Sequence, residues 1–455
     1  MQIATDAVAS WSATRPELAG HFERDADAHA KFWRKGAGLL AALPEKPKRN
    51  PAEARAAETI LRTGRESREA FMGRHAEAVY RALTKDMTAL VRAEPLVYEA
   101  ANVVPGLTPT RKEVAAQSEK MQRDKDGIEI DQGIFFSRVL AHPAAGAHLC
   151  HAMLLPKPES VARLPELQAR GALDLGTAAV QRHGKATTVL LRNPRYLNAE
   201  DETTLNQVET AVDLAILDPA TELAVLRGDV VDNPKHAGKR VFCTGINLTH
   251  IYYGKISYLW FITREMGFVN KMMRGLAKRD ASPDEMHGGT IEKPWVAAVE
   301  AFAIGGGCQY LLTMDYVVAA SDAYMTLPAR KEGIIPGAAN LRLPRFVGDR
   351  LARRAILSGL RFACDSAEGR LICDEVVPAA ALDDAVAARL AGLGDSGLVS
   401  AVGNRRSFRV HQEPLDTFRR YMALYTYEQV FCHFSDALIA NLERFWDARA
   451  RAGRL

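Results

Sequence analysis

The chain has 455 residues, 47% of them hydrophobic and 25% charged, with a formal net charge of +4. That balance excludes disordered and fibrous classes, and at roughly 150 residues per domain the length predicts two or three domains. So small a net charge excludes a general nucleic-acid binder and leaves room for a local basic patch that takes an anionic ligand.

No apolar run reaches the roughly 18 residues of a membrane-spanning helix, so no membrane partner is expected. The start, MQIATDAVASWSATRPELAG, lacks a basic stretch followed by an apolar one and does not read as a secretory signal. Cys150, Cys243, Cys308, Cys364, Cys373 and Cys432 show no paired spacing. Together these features predict reduced thiols and a cytoplasmic protein.

In chain order, residues 1–173 read as an α-helical domain and connector. Helical spacing is plain from Pro51 to Arg62 and from Glu69 to Leu83, and Pro143, Pro156 and Pro158 mark the connector. Residues 174–400 read as the core. Thr177–Arg182 and Ala186–Arg192 predict two strands joined by a turn at His183-Gly184-Lys185. Asn198 is the expected cap of a helix running through Leu205, Val208, Val212 and Leu214. Glu222–Gly228 predicts a buried strand, and Pro294–Ile304 a strand running into Gly305-Gly306-Gly307. Cys308–Met314 then predicts a helix and Tyr316–Ala320 another strand. Strands alternating with helices imply an α/β fold. Residues 401–455 form a helical C-terminal region. Its aromatic face (Phe418, Tyr421, Tyr425, Phe431, Phe434, Phe445, Trp446) suits burial against the core or a neighbouring subunit.

Two glycine-centred turns carry the candidate chemistry. In the first, a strand ends at Gly245-Ile246-Asn247-Leu248; in the second, Gly305-Gly306-Gly307 precedes a helix. Glycine permits close approach of backbone to ligand, and a helix start presents unpaired N–H groups. Two such turns can aim two amide donors at one oxygen that gains negative charge. Either turn alone reads equally well as packing.

The segments 191–199 (LRNPRYLNA), 242–248 (FCTGINL), 299–309 (VEAFAIGGGCQ), 333–337 (GIIPG) and 352–359 (ARRAILSG) resemble, in order, the enoyl-CoA hydratase/isomerase (crotonase) family. The resemblance covers about residues 175–400. It implies a spiral of ββα units, a CoA thioester substrate, and homotrimers that often pair into homohexamers. By family position the oxyanion donors are the main-chain N–H groups of Ile246 and Gly306. Gly245, Asn247, Leu248, Gly305 and Gly307 then lie against the substrate.

The departures matter as much. One hydratase glutamate is Gln309 here, and the other, four residues before Gly333, is Ala329. Hydration needs a carboxylate pair to place water and move protons, so a plain hydratase is excluded. What remains is an enolate-stabilising site walled by Ile246, Leu248, Ala329, Ile334 and Ile335. Such a wall reads as core packing or as a dry pocket for O2.

With the helical N-terminal region and residues 252–264 (YYGKISYLWFITR), the chain resembles the branch of this family that oxygenates a dihydroxyphenylacetyl-CoA. That resemblance implies a dioxygenase with no metal and no organic cofactor, releasing CoA and an arylglyoxylate in glycopeptide-antibiotic biosynthesis. Glu200, Arg264 and Gln309 are the candidates for holding ring hydroxyls. Glu200 also reads as a first-turn helix acid, and Arg264 as a surface charge. Arg195, Lys235, His236 and Lys239 are the candidates for the CoA phosphates, or a solvated basic loop. His148-x-x-His151 makes no convincing metal site, and no dinucleotide fingerprint is present. A crotonase-fold isomerase, a thioester hydrolase, and an inactive acyl-CoA-binding protein are the rival readings.

Overall fold

The computed structural model describes residues 2–282, 289–394 and 397–454. The chain divides into two compact units, one of Met1–Ala152, Ile251–Tyr258 and Arg419–Ala440, the other of Met153–His250, Leu259–Phe418 and Asn441–Leu455. Set beside the expected divisions at 173 and 400, the helical unit stops at Ala152. The tail is shared: 419–440 belongs with the first unit, while 401–418 and 441–455 belong with the second. The expected connector is itself helical, as Pro143–Leu154 and Pro158–Arg170. Proline opens both helices, where its missing N–H leaves nothing unsatisfied.

The first unit is α-helical, with Phe22–Ala41, Pro51–Leu83, Ala93–Val103 and Ile130–Ala141 as principal helices. Asn50 starts the longest by accepting from the N–H groups of Ala52 and Glu53, while the Glu53 side chain takes the N–H of Asn50. The helix buries Ile60, Phe71 and Val79, and Trp11 stacks on Phe32 at 4.6 Å.

The second unit holds the strands β1 (Ala172–Asp174), β2 (Ala178–His183), β3 (Ala186–Leu191), β4 (Leu223–Gly228), β5 (Leu276–Ala277), β6 (Thr290–Ile291), β7 (Trp295–Val299), β8 (Phe302–Ile304), β9 (Tyr316–Ala320), β10 (Tyr324–Thr326), β11 (Arg361–Ala363) and β12 (Glu375–Val377). Among the described residues the main sheet runs β1-β2-β3-β4-β7-β9-β12, a second runs β11-β10-β8, and β5 pairs with β6. The hairpin β2–β3 is antiparallel, as its alternation predicts; from β3 onward, β3-β4-β7-β9-β12 pair in parallel. Parallel strands have both faces covered and read as continuous apolar runs, and every residue of β7 is buried. Apolar residues cover one face from Val208, Leu214, Tyr310 and Leu343 and the other from Leu382 and Val386. This is the ββα architecture the sequence implied.

Two local expectations change. Pro294–Ile304 forms two strands in two sheets, because Ala301 takes φ +58° and turns the chain between β7 and β8. Asp201, not Asn198, caps the helix Glu202–Leu217, accepting from Thr203 N while Thr204 Oγ1 accepts from Asp201 N. Asn198 sits at φ +55°. Its side chain accepts from Asn193 N at 2.9 Å and donates to the carbonyls of Asp229 at 2.8 Å and Val241 at 2.7 Å. That clamp holds the start of the first glycine turn.

Candidate active site

The two glycine turns meet. Cys243 forms a parallel bridge with Ala303, through Cys243 N to Phe302 O at 3.4 Å and Ile304 N to Cys243 O at 2.9 Å. Gly245, at φ +74°, fits so closely that an added Cβ would lie 2.7 Å from both Gly306 N and Ile304 O. Glu200 bridges the same turn, its N–H donating to Gly245 O at 2.8 Å and its carbonyl accepting from Asn247 N at 2.8 Å. In a parallel bridge those two bonds leave the residue between them, Ile246, with its N–H facing away. Gly306 opens the helix Gly306–Leu311, where the N–H has no intrahelical partner. Among the described residues, neither of these amides bonds within the chain, and that is the condition for donating to a ligand oxygen.

Behind Gly306 lies a buried ionic cluster. A Cβ on Gly306 would collide with Glu200 Oε2 and lie 2.8 Å from Arg264 Nη2. Arg264 Nε donates to Glu200 Oε1 at 2.6 Å. Its Nη1 donates to Gln309 Oε1 at 2.8 Å and Glu265 Oε2 at 3.1 Å. Its Nη2 reaches Gly306 O at 3.2 Å. Burial alone lowers the guanidinium pKa, but Glu200, Tyr310 and Glu265 around it hold it well above the usual arginine value. The Tyr310 hydroxyl donates to Glu200 Oε1, and burial followed by that carboxylate pushes the phenol well above its ordinary pKa.

Glu200, Arg264 and Gln309, named separately from sequence, therefore form one network. Neither simpler reading of the first two holds. Glu200 precedes its helix rather than opening it, and Arg264 is 4% exposed rather than a surface charge. Their polar atoms are satisfied by one another, and the void beside Glu200, between Trp260, Phe268 and Tyr310, is only about 10 Å³. That volume admits at most a water molecule. Gln309 differs: its Nε2 donates to nothing among the described residues. Tyr310, absent from the sequence-based candidates, is the buried partner that adjacency to Gln309 could have flagged.

Ile246, Leu248 and Ile304 face a cavity of about 790 Å³, within the usual range for a small-molecule site. Arg195 and His236 line it; Lys235 and Lys239 do not, while Lys331 and Arg451 do. Arg195 lies over Tyr196 at 5.2 Å, and His236 packs edge-on to Phe302 at 5.4 Å. The C-terminal residues Phe445 and Trp446 line the cavity too, with Trp446 Nε1 donating to Thr249 Oγ1 at 3.2 Å. Of the residues expected to wall an oxygen pocket, Ile246 and Leu248 are in the lining; Ala329, Ile334 and Ile335 are not, although Pro328, Lys331 and Glu332 beside them are.

Glu332 was missed by the motif reading because it stands one residue, rather than four, before Gly333. Its Oε1 lies 3.9 Å from where a Cβ on Gly305 would be. The residue is half-buried because its open side faces the cavity, and burial pushes its carboxyl up to about 7.

No group of three or more His, Cys, Asp or Glu side chains among the described residues could hold a metal ion. His148 Nδ1 pairs with the Tyr80 hydroxyl at 2.8 Å, a structural contact in the helical unit.

The enoyl-CoA hydratase/isomerase family model matches residues 183–402. The chain is 44% identical over 408 residues to (3,5-dihydroxyphenyl)acetyl-CoA 1,2-dioxygenase of Amycolatopsis orientalis, covering 90% of this chain and 92% of that protein. It is 29% identical to crotonyl-CoA hydratase of Syntrophomonas wolfei over 39% of this chain and 60% of that one. A crystal structure of an enoyl-CoA hydratase from Mycobacterium avium subsp. paratuberculosis superposes with a TM-score of 0.48 at 17% identity, covering 60% of this chain and 97% of that one.

Proposed function

Because the chain belongs to the enoyl-CoA hydratase/isomerase (crotonase) family, we propose that its paired amides serve enolate chemistry on an aryl thioester. The enzyme is a dioxygenase that converts (3,5-dihydroxyphenyl)acetyl-CoA and O2 to 3,5-dihydroxyphenylglyoxylate and CoA. The observation that carries this reading is an oxyanion site whose two hydratase carboxylate positions are Gln309 and Ala329, in a chain alike over nearly its whole length to a protein of that activity. The site can stabilise the enolate and lacks the pair that would hydrate a double bond.

The thioester oxygen takes the N–H groups of Ile246 and Gly306. Each such donor contributes about 3–4 kcal/mol to stabilising an oxyanion in a dry site. Loss of an α proton, acidified further by the ring, gives a delocalised carbanion. One electron passes to O2 and the radical pair combines to an α-peroxide, which attacks the thioester carbonyl and expels CoA. Scission of the O–O bond with loss of the second α proton yields the 2-oxo acid. The substrate supplies all four electrons, so the balance calls for no metal or organic cofactor. Arg195, Lys331 and Arg451 supply positive charge for the CoA phosphates and His236 a ring nitrogen beside them, while Gln309, held in place by Arg264, offers its Nε2 to a ring hydroxyl.

As the family resemblance implies, we place the enzyme in the cytoplasm as trimers or hexamers, supplying an arylglycine precursor for glycopeptide antibiotics. The test is an oxygen electrode with (3,5-dihydroxyphenyl)acetyl-CoA and a chelator. Oxygen uptake matching CoA release is expected. CoA release without uptake makes the protein a hydrolase, and tight binding with neither makes it an acyl-CoA-binding protein.

A further inference from the structure

The reaction needs a base, and the hydratase positions offer none. Ala329–Glu332 is a single short helical turn, so residues 329 and 332 are neighbours at i and i+3. A carboxylate missing at 329 is thus replaced one turn later at 332. Glu332 lines the cavity together with Ile246, Leu248 and Ile304, and its Oε1 lies 3.9 Å from the Cβ position of Gly305, the residue preceding the oxyanion donor Gly306. Among the described residues its carboxyl has no hydrogen-bond or ion-pair partner. A half-buried, unpaired carboxyl opening onto a ligand cavity has no structural role to fill.

We propose that Glu332 is the base that takes the α proton of the aryl thioester. One Glu332 oxygen receives the proton, and the C–H electron pair moves into the thioester, whose oxygen rests on the Ile246 and Gly306 amides. When the C–S bond breaks, the first proton passes to the CoA thiolate, leaving Glu332 ionised; it then takes the second α proton as the O–O bond breaks and gives it to the product carboxylate. One thioester and one O2 thus give one arylglyoxylic acid and one CoA thiol.

Burial alone raises the Glu332 carboxyl to about 7. The charged groups that share the cavity, Arg195, Asp232, Lys331 and Arg451, and the His236 ring add nothing to that shift. A base poised there is matched to neutral pH.

This inference rests on the enolate half of the proposed function, and its test uses no oxygen. Deuterium loss from α,α-dideuterated (3,5-dihydroxyphenyl)acetyl-CoA is followed anaerobically by mass spectrometry in the parent and in Glu332→Gln, with CoA affinity measured alongside. Glu332→Gln is expected to bind CoA within about threefold of the parent and to lose exchange by about 10²- to 10⁴-fold. Exchange at the parent rate overturns the proposal. If Glu332→Gln does not bind CoA, Glu332→Asp decides. Retained exchange with a displaced pH midpoint supports the assignment, and an unmoved pH profile overturns it. A parent that exchanges deuterium but consumes no O2 keeps the base and loses the dioxygenase. Full O2 uptake by Glu332→Gln does the reverse.

Discussion

Gly245 stands against the amide of Gly306: a Cβ on the former would lie 2.7 Å from the nitrogen of the latter. Gly245→Ala therefore shifts an oxyanion donor and also places a side chain at φ +74°. Turnover is expected to fall about 10²- to 10³-fold, with KM changed much less. Urea unfolding is expected to show a loss of about 1 kcal/mol or more from the unfavourable backbone conformation. Near-parent kcat in the oxygen assay contradicts the assignment of these amides.

Glu200 and Arg264 form a buried pair; removing Arg264 strands the Glu200 carboxylate, whereas removing Glu200 leaves Arg264 paired with Glu265. Arg264→Met is expected to destabilise the fold by about 3–5 kcal/mol, and Glu200→Gln by less. The double variant is expected to recover part of that loss, because no charge is left unpaired. Denaturant midpoints of the three variants measure the coupling, and purely additive losses would show that the pair does not act as a unit.

Gln309 offers its amide nitrogen without a partner. Gln309→Ala is expected to lower kcat/KM for the dihydroxylated thioester about tenfold, the range of one hydrogen bond to a buried polar group. Phenylacetyl-CoA, lacking the hydroxyls, is expected to be affected much less. Equal losses on both substrates would remove Gln309 from ring recognition.

Much of this site is legible from residue order alone, because its parts are local. The hairpin β2–β3, the two glycine turns and the Gln309 substitution are each contained in a short segment. What escapes is set by folding at a distance. That Glu200 and Arg264 pair, 64 positions apart, depends on the helix Tyr258–Arg264 returning beneath Gly306. The helix cap moved from Asn198 to Asp201 because Asn198 is drawn off by the carbonyls of Asp229 and Val241, 31 and 43 positions away. Glu332 hid for another reason: the family spacing points to Ala329, whereas the carboxyl stands three residues on, at the other end of the same helical turn.

Glu413 sits among Arg342, Arg274 and Arg345. Burial would raise its carboxyl, but these guanidinium groups hold it down at about 2, below the ordinary 4.5. A depressed carboxylate stabilises the fold above its unfolded pKa, and the contribution, about 3 kcal/mol, is lost as pH falls through that window. The stability gap between the parent and Glu413→Gln is expected to be largest above pH 4.5 and to close toward pH 2. A gap that does not change with pH contradicts the sign.

The most direct measurement of the central claim is isotopic. Turnover of (3,5-dihydroxyphenyl)acetyl-CoA under 18O-labelled O2, quenched rapidly and read by mass spectrometry, is expected to place one labelled atom in the keto group and one in the carboxylate. An arylacetate carrying no label, its new carboxylate oxygen drawn from water, means that the amides of Ile246 and Gly306 serve hydrolysis and that the carbanion never meets dioxygen.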